Sequence, residues 1–388
     1  MSVVELSALE LASGRAFGAE PSVELPGTTA EPRQALERAC EAALVREPCV
    51  VSFSGGTDSS TILAIAARVA RDRGLSPPIP VSLRFPGVPS SNESRWQELV
   101  IRHLGLSDWV RIEIGDELDF VGALARTGLS NHGLLWPANA HFHYPVFERA
   151  RGGSVLTGFD GDGLFKAWRW QRAQAVLARR ESPVPRDVLR VALAVAPRQA
   201  REAAFSMRQP LYITWLRPHA NRRFVHEIAR ELASEPRPWP ARVAWFARRR
   251  YLRLAAHSLA LLAADRDVEV HHPLLDPAFL SALARRGGRA GYGTREDAAR
   301  ALVSDLLPAD TIQRRSKAEF GRALWGPEAR AFAHQWCGSG IDHNVVDANL
   351  LRDAWSKPNP PLAAATVLQH AWLQAAKTDT MSPAQLMG

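Results

Sequence analysis

The sequence predicts an α/β protein, a mostly parallel sheet with helices between its strands, enlarged by a long helical portion. Three observations carry that expectation. From about residue 48 to residue 165, short apolar runs alternate with longer amphipathic stretches, the order that βαβ units write into a chain. The short runs are rich in Val, Ile and Phe, as buried strands are. Beyond Phe165 the composition turns to Ala, Leu and Arg, with helical spacing broken by prolines.

The elements follow in order. Residues 1–30 lack sustained periodicity and contain Gly14, Gly18, Pro21, Pro26 and Gly27, so a weakly ordered arm is expected there. From Pro32, PRQALERACEAALVRE places Leu36, Cys40 and Leu44 on one helical face. Residues 49–53, CVVSF, read as a buried strand; after a Gly-rich turn, 59–73 form an apolar helix stopped by Gly74. Strands are expected at 79–85 and 109–114, with a helix at 93–104 between them. Helical stretches near 117–127 and 141–151 lead to a strand at 154–157. Helices are then expected through 165–265 and 277–305 and at 362–376, with no internal repeat and no low-complexity segment.

Composition narrows the class. The 388 residues, 46% hydrophobic and 23% charged, suffice for a sizeable core and exclude wholesale disorder. No apolar run reaches the roughly 18 residues that a membrane helix needs. The opening MSVVELSALELASGRAFGAE carries acids and no basic leader, so a secretory signal is not expected. Cys40, Cys49 and Cys337 form no CxxC pair, which argues against a disulfide framework or zinc ribbon and for a reducing cytoplasm. Behind the net charge of +8, the positive charge is almost all arginine, since lysine occurs only at Lys166, Lys317, Lys357 and Lys377. Such a bias reads as compositional more than as a nucleic-acid surface.

Chemistry concentrates after the first strand. Residues 50–62, VVSFSGGTDSSTI, run through Ser54, Gly55, Gly56, Thr57, Asp58, Ser59 and Ser60 directly into a helix. The glycines let backbone N–H groups approach a phosphate chain, the helix N-terminus adds partial positive charge, and the serines add donors. Asp58 by itself repels phosphate; its natural place is on a Mg²⁺ that bridges phosphate oxygens. No GKS or GKT follows, so this is not a Walker A loop. An N-capped turn would explain a lone SGG, whereas the whole heptad between strand and helix favours an anion cradle.

A second cluster, 155–165 (VLTGFDGDGLF), sets Asp160 and Asp162 in a Gly-rich loop after a strand, where a second carboxylate can share the cation. In 269–280, EVHHPLLDPAFL, His271 and His272 lack helical ligand spacing and read as structural. In 314–320, RRSKAEF, Lys317 is a compact positive charge suited to phosphates.

The heptad resembles the SGGxDS signature of the PP-loop ATP pyrophosphatases, the adenine nucleotide alpha hydrolase-like group that cleaves ATP to AMP and pyrophosphate. The later motifs point within that group: 155–165 is similar to the G-x-G-x-D-E-L-F element of asparagine synthetases, and 269–280 to their R-x-P-F-L-D segment, with His271 at the arginine. Residues 314–320 look like the R-x-K-x-x-F segment of asparagine and β-lactam synthetases, and Ser91-Asn92-Glu93-Ser94 like the family's D-E-x segment, which implies Glu93 and Gln97 at the pocket, although helix N-capping explains Glu93 equally well. The resemblance spans roughly residues 31–376. It implies a synthetase domain with a core at about 48–165, a helical portion at about 166–376 and a tail at 377–388. It implies ATP and Mg²⁺ as cofactors: Ser54, Gly55, Gly56, Ser59 and Ser60 on pyrophosphate, Asp58 and Asp162 on the metal, Leu83 and Gly158 against adenosine, and Lys317 offsetting phosphate charge.

Two departures shape the expected reaction. Full asparagine synthetases open with a catalytic cysteine in a glutaminase domain; here Ser2 stands in that place and about 48 residues precede the first strand, so glutamine is not expected as nitrogen source through this chain. After Gly158, asparagine synthetases carry glutamate and β-lactam synthetase a catalytic tyrosine, but this chain carries Phe159, which takes no proton. The base is therefore expected at a neighbour such as Asp160, or the amine gives its proton to solvent or substrate, and Gly163, replacing a family glutamate, is expected to leave space near the metal. Twelve tryptophans, including Trp136, Trp168, Trp170, Trp215, Trp239 and Trp245, fit either core packing or an aromatic channel for a large substrate.

The expected function is an ATP-dependent ligase that adenylates a carboxylate and passes the acyl group to an amine, in natural-product biosynthesis such as lasso peptide cyclisation. One precursor peptide can supply both groups, companion biosynthetic proteins are expected partners, and neither nucleic acid nor membrane is. Ammonia-dependent amidation of a small acid, a tRNA-modifying PP-loop enzyme and a non-catalytic binding scaffold stand as alternatives.

Overall fold

The computed structural model describes residues 5–21, 25–165, 168–208, 212–314, 318 and 320–380. Five strands make one sheet: β1 (Cys49–Ser52), β2 (Ile79–Arg84), β3 (Val110–Glu113), β4 (Ser154–Thr157) and β5 (Glu269–His271). Their order is β3-β2-β1-β4-β5, with every neighbouring pair parallel. Parallel strands need both faces covered, and alternation along β1 supplies two apolar faces. Cys49, Val51 and Phe53 pack with Leu36 and Leu44 of helix Pro32–Leu44 and Ile62 and Ile65 of helix Thr57–Arg73. On the other face Val50, Val81 and Val155 pack with Phe147, Leu259 and Leu262.

From β1 the chain builds outward through β2 to β3, then returns to place β4 on the other side of β1. That reversal opens a crevice at the C-terminal ends of β1 and β4, the place where open α/β sheets bind ligands. The α/β fold with a PP-loop core and large helical additions, expected from sequence, is the fold observed.

The helical portion has its own core. Trp336, Trp355, Leu351 and Leu368 pack with Phe120 and Trp325, joining helices Pro327–Gln335, Ala348–Trp355 and Ala365–Thr380 to the sheet nucleus. Asp119 ties the two parts. Its carboxylate, fully buried, accepts N–H bonds from Val121 at 3.0 Å, Glu328 at 2.9 Å and Ala329 at 3.0 Å. Burial pushes its pKa up, and those N–H groups pull against that shift.

Three elements differ from expectation. The stretch expected as a helix near 117–127 is held as turns by Asp119, and the helix runs instead over Ala123–His132. Residues 269–271, where no strand is expected, form the edge strand β5; three residues are too few to show alternation. The segment expected as a weakly ordered arm carries helix Ala8–Ser13, with a Ser7–Glu10 capping box and Leu9 and Ala12 buried. Glu10, itself buried, accepts from the Phe17 N–H at 2.8 Å and pairs with Arg250, and Glu20 N–H donates to the Arg248 carbonyl at 2.7 Å. Six helical residues give periodicity too little length to register, whereas long-range ion pairing fixes the segment.

Asp119→Ala strands two backbone N–H groups at the start of helix Pro327–Gln335. It should lower the unfolding free energy by roughly 2–4 kcal/mol, seen as a lower urea midpoint with nucleotide binding retained in the folded fraction. An unchanged midpoint would show that this cap contributes no stability.

Candidate functional site

The loop after β1 is shaped by its own hydroxyls. Gly55 takes φ +81°, and Ser54 and Ser59 hydroxyl oxygens lie 3.1 Å apart, with Gly56 N–H donating to Ser54 Oγ at 3.3 Å. Helix Thr57–Arg73 begins on Gly56 without a side-chain cap, so its first N–H groups retain capacity for an anion. Two contacts hold the loop from behind: Gln97 Nε2 donates to Ser54 O at 3.2 Å and Arg314 Nη1 to Gly55 O at 2.8 Å. Arg314, buried, also pairs with Glu93.

The loop after β4 presses against it. A Cβ on Gly158 would stand 2.7 Å from Ser59 N, so only glycine permits this approach. Gly163 does not leave open space, contrary to expectation: a Cβ there would lie 2.4 Å from Asp160 Oδ2, because Asp160 itself fills the gap. Asp160 holds φ +53°, uncommon for a residue with a side chain. Its carboxylate accepts from Tyr251 Oη at 2.5 Å. Burial pushes its pKa up to about 6; the Tyr251 hydrogen bond opposes the shift, and Asp162 and Asp58 add to it.

These loops enclose a cavity of about 510 Å³. Ser54, Gly56, Asp58, Ser59, Gly158, Asp160 and Asp162 all line it. Leu83 lines a narrow extension that shares Ser52, Ser54 and Glu93 with the main space, and Gln97 lies there too. Ser60 does not join them: it is fully buried, and its hydroxyl has no hydrogen-bond partner. Gly55 shapes the turn from behind the lining. Lys317 lies outside the described residues; Arg314 before it in sequence and Ala318 and Phe320 after it line the cavity.

Asp58 and Asp162 face one another across a guanidinium. Arg295 Nη2 lies 2.9 Å from Asp58 Oδ1, and Nη1 lies 2.5 Å from Asp162 Oδ1. Among the described residues no cluster of three or more His, Cys, Asp or Glu side chains could hold a metal. Two carboxylates beside a phosphate cradle are nonetheless the donor set that suits Mg²⁺, which takes its remaining ligands from water and phosphate.

A larger cavity of about 1070 Å³ adjoins the first. Tyr251 and Gly163 line it and Asp160 lines the first, so the Tyr251–Asp160 hydrogen bond lies between the two spaces. Trp136, Trp168 and Trp245 line this second space, whereas Trp170, Trp215 and Trp239 are packed in the interior. Ser13 to Ala16, from the N-terminal segment, form part of its wall. Arg242 steadies the boundary, donating to Gly163 O and Leu164 O at 2.6 Å each and pairing with Glu235 at 3.6 Å.

Arg295, Tyr251 and Arg242 escaped the sequence reading. All three come from the helical portion, where arginine and aromatic residues are frequent enough to hide a functional one. His272 is structural: its Nδ1 lies 2.7 Å from Thr157 Oγ1 at the end of β4. His271 lies 3.2 Å from Glu269.

A Ser/Gly loop running into a helix N-terminus at the switch point of a parallel sheet, faced by two carboxylates, is an arrangement suited to a nucleotide-dependent enzyme. The asparagine synthase family model matches residues 31–381, and the chain belongs to that family of ATP-dependent ligases. No curated protein matches the chain. Among the described residues no helix is long and apolar enough to cross a membrane.

Burial holds the pKa of His272 down to about 3, with His143 and His271 adding to the effect. Because an unfolded histidine titrates near 6.5, acid favours the unfolded chain, which binds the proton more readily. The stabilising contribution is therefore complete above pH ~6.5 and lost as pH falls toward 3. Melting temperature should fall between pH 7 and 5, less steeply in His272→Gln; His143, held down to about 4, leaves a residual slope of the same sign. Equal slopes would mean that His272 protonates without penalty.

Proposed function

We propose that this enzyme adenylates a substrate carboxylate and transfers the acyl group to an amine carried by a large, peptide-like substrate. The supporting observation is that two neighbouring spaces, a nucleotide-sized pocket and an aromatic cavity of about 1070 Å³, lie to either side of the hydrogen-bonded Asp160–Tyr251 pair. A cavity that size, walled by Trp136, Trp168 and Trp245, suits a peptide segment better than ammonia and a small acid.

In the first step the substrate carboxylate oxygen attacks the α-phosphorus of ATP, the bond to the β-phosphate oxygen breaks, and pyrophosphate departs. Ser54, Gly55, Gly56 and Ser59 would cradle the departing group, with Leu83 and Gly158 beside the adenosine and Lys317 offsetting charge. Asp58 and Asp162 would hold Mg²⁺, which when bound neutralises phosphate charge. In the second step the amine nitrogen attacks the acyl carbon, AMP leaves with the former carboxylate oxygen, and the amine proton passes to Asp160. A carboxylate with pKa raised to about 6 is better matched to that task than an ordinary aspartate. Lasso-type ring closure, a peptide's N-terminal amine joining its own Asp or Glu side chain, fits this chemistry.

Release of AMP and pyrophosphate should depend on substrate and fall at least ~10³-fold in Asp58→Ala, measured with candidate precursor peptides, small acids with ammonia, and tRNA. AMP formation confined to tRNA, or to small acids with ammonia, would overturn the peptide assignment. No AMP with any substrate, despite ATP binding, would overturn the ligase itself. Tyr251→Phe should leave the pyrophosphate burst largely intact while slowing amide formation on the order of 10²-fold. Equal losses in both steps would remove the pair from the second step.

A further inference from the structure

We infer that Arg295 is a tethered counter-ion that takes the cation's place between Asp58 and Asp162 until a metal–nucleotide complex displaces it, so that divalent metal enters this site with the nucleotide and not before it. The inference rests on the proposed role of Asp58 and Asp162 as a shared cation site. Their carboxylates come from loops after two neighbouring strands, and each gives an oxygen to a different nitrogen of one guanidinium, at 2.9 and 2.5 Å. A cation shared by both carboxylates needs the space that guanidinium fills.

Charge explains why an arginine stands there. Two carboxylates in a partly enclosed pocket, with the Asp58 side chain only 17% exposed, repel one another unless positive charge lies between them. One guanidinium supplies a single positive charge where a divalent ion supplies two, so it holds the pair in place and remains replaceable. Its position on its own helix gives no other reason for it. Arg295 is the first residue of helix Arg295–Val303, the end where a cation is disfavoured by the helix dipole, and Glu296 and Asp297 in the same turn offset it. Its Nε is buried without a hydrogen-bond partner, so the bridge leaves one donor unspent.

The two forms of incoming metal then differ. A free divalent ion must expel a guanidinium that gains no new acceptor. A metal–triphosphate complex brings both the replacing charge and phosphate oxygens in the cavity that Arg295 already lines. Metal and nucleotide should therefore bind cooperatively, with Arg295 as the linking group.

Titration with Mn²⁺, followed by electron paramagnetic resonance of the free ion, tests this with and without a non-hydrolysable ATP analogue. The wild-type protein should bind Mn²⁺ at least 10-fold more tightly with the analogue than without it. Arg295→Gln should bind Mn²⁺ alone at least 10-fold more tightly than wild type, with a smaller gain from the analogue. In a chelator, Arg295→Gln should melt several degrees below wild type, and Mn²⁺ should restore it, which distinguishes charge repulsion from misfolding. Unchanged or weaker Mn²⁺ affinity in Arg295→Gln, with wild-type binding still abolished by Asp58→Asn, would overturn the counter-ion role while leaving the metal site intact. Absence of Mn²⁺ binding to wild type even with the analogue would overturn both.

Discussion

Parallel pairing of β1 with β4 brings together two loops that lie far apart in sequence, and the pocket's chemistry depends on how closely they approach. The last paired residues are Ser52 and Thr157, and immediately beyond them the chain must pass at backbone contact. A Cβ at Gly158 would intrude on the Ser59 amide at 2.7 Å, and one at Gly161 would stand 2.3 Å from the Asp58 carboxyl carbon. Either side chain would push the loops apart, and Asp58 and Asp162 would cease to share one positive charge. The glycines after β4 thus act on electrostatics through distance.

Buried arginines then fix the loops from outside the sheet. Arg314 pairs with Glu93 and reaches the Gly55 carbonyl; Arg242 pairs with Glu235 and reaches those of Gly163 and Leu164. Arg249 and Arg250 pair with Glu231 and Glu10, the latter fastening the N-terminal helix to the start of helix Arg250–Ala264, one residue from Tyr251. Such pairs need not raise stability over apolar substitutes, but each leaves a donor or acceptor orphaned if its partner moves. Part of the chain's arginine content is therefore internal framework, paired one for one with glutamates and so adding nothing to the net charge of +8.

The sheet nucleus was legible because its signals are local. A buried strand, a Gly-rich turn and an apolar helix lie within residues 49–73, and caps such as Gly74 at φ +67° mark their own ends. Asp58 and Asp162 could be named as a pair from their motifs alone. What stayed hidden depends on contacts across long separations. Nothing near Asp119 announces that Glu328 and Ala329 will bond to it, so the helix after it was placed too early. Nothing in RYLRLAAH marks Tyr251 as the partner of Asp160, and Arg295 resembles every other arginine in an arginine-rich chain.

The substitution of glycine for a family glutamate at position 163 becomes intelligible beside Asp160. With φ at +53°, Asp160 carries a backbone cost of about 1–2 kcal/mol relative to an ordinary conformation, and that conformation turns its carboxylate toward Tyr251 across the space a side chain at 163 would occupy. Gly163, the left-handed Asp160 and Tyr251 are consequently one structural unit: a glutamate at 163 would displace the aspartate, and without Tyr251 the buried carboxylate would lose its hydroxyl donor. Phe159 fits the same arrangement. It gives no acid or base and packs instead 5.2 Å from the His272 ring; in the proposed mechanism proton handling falls to the residue after it. On the proposed mechanism the titratable group thus stands one position along the loop from where the family's motif places it, at the contact of the sheet nucleus with Tyr251 of the helical portion, which lines the larger cavity.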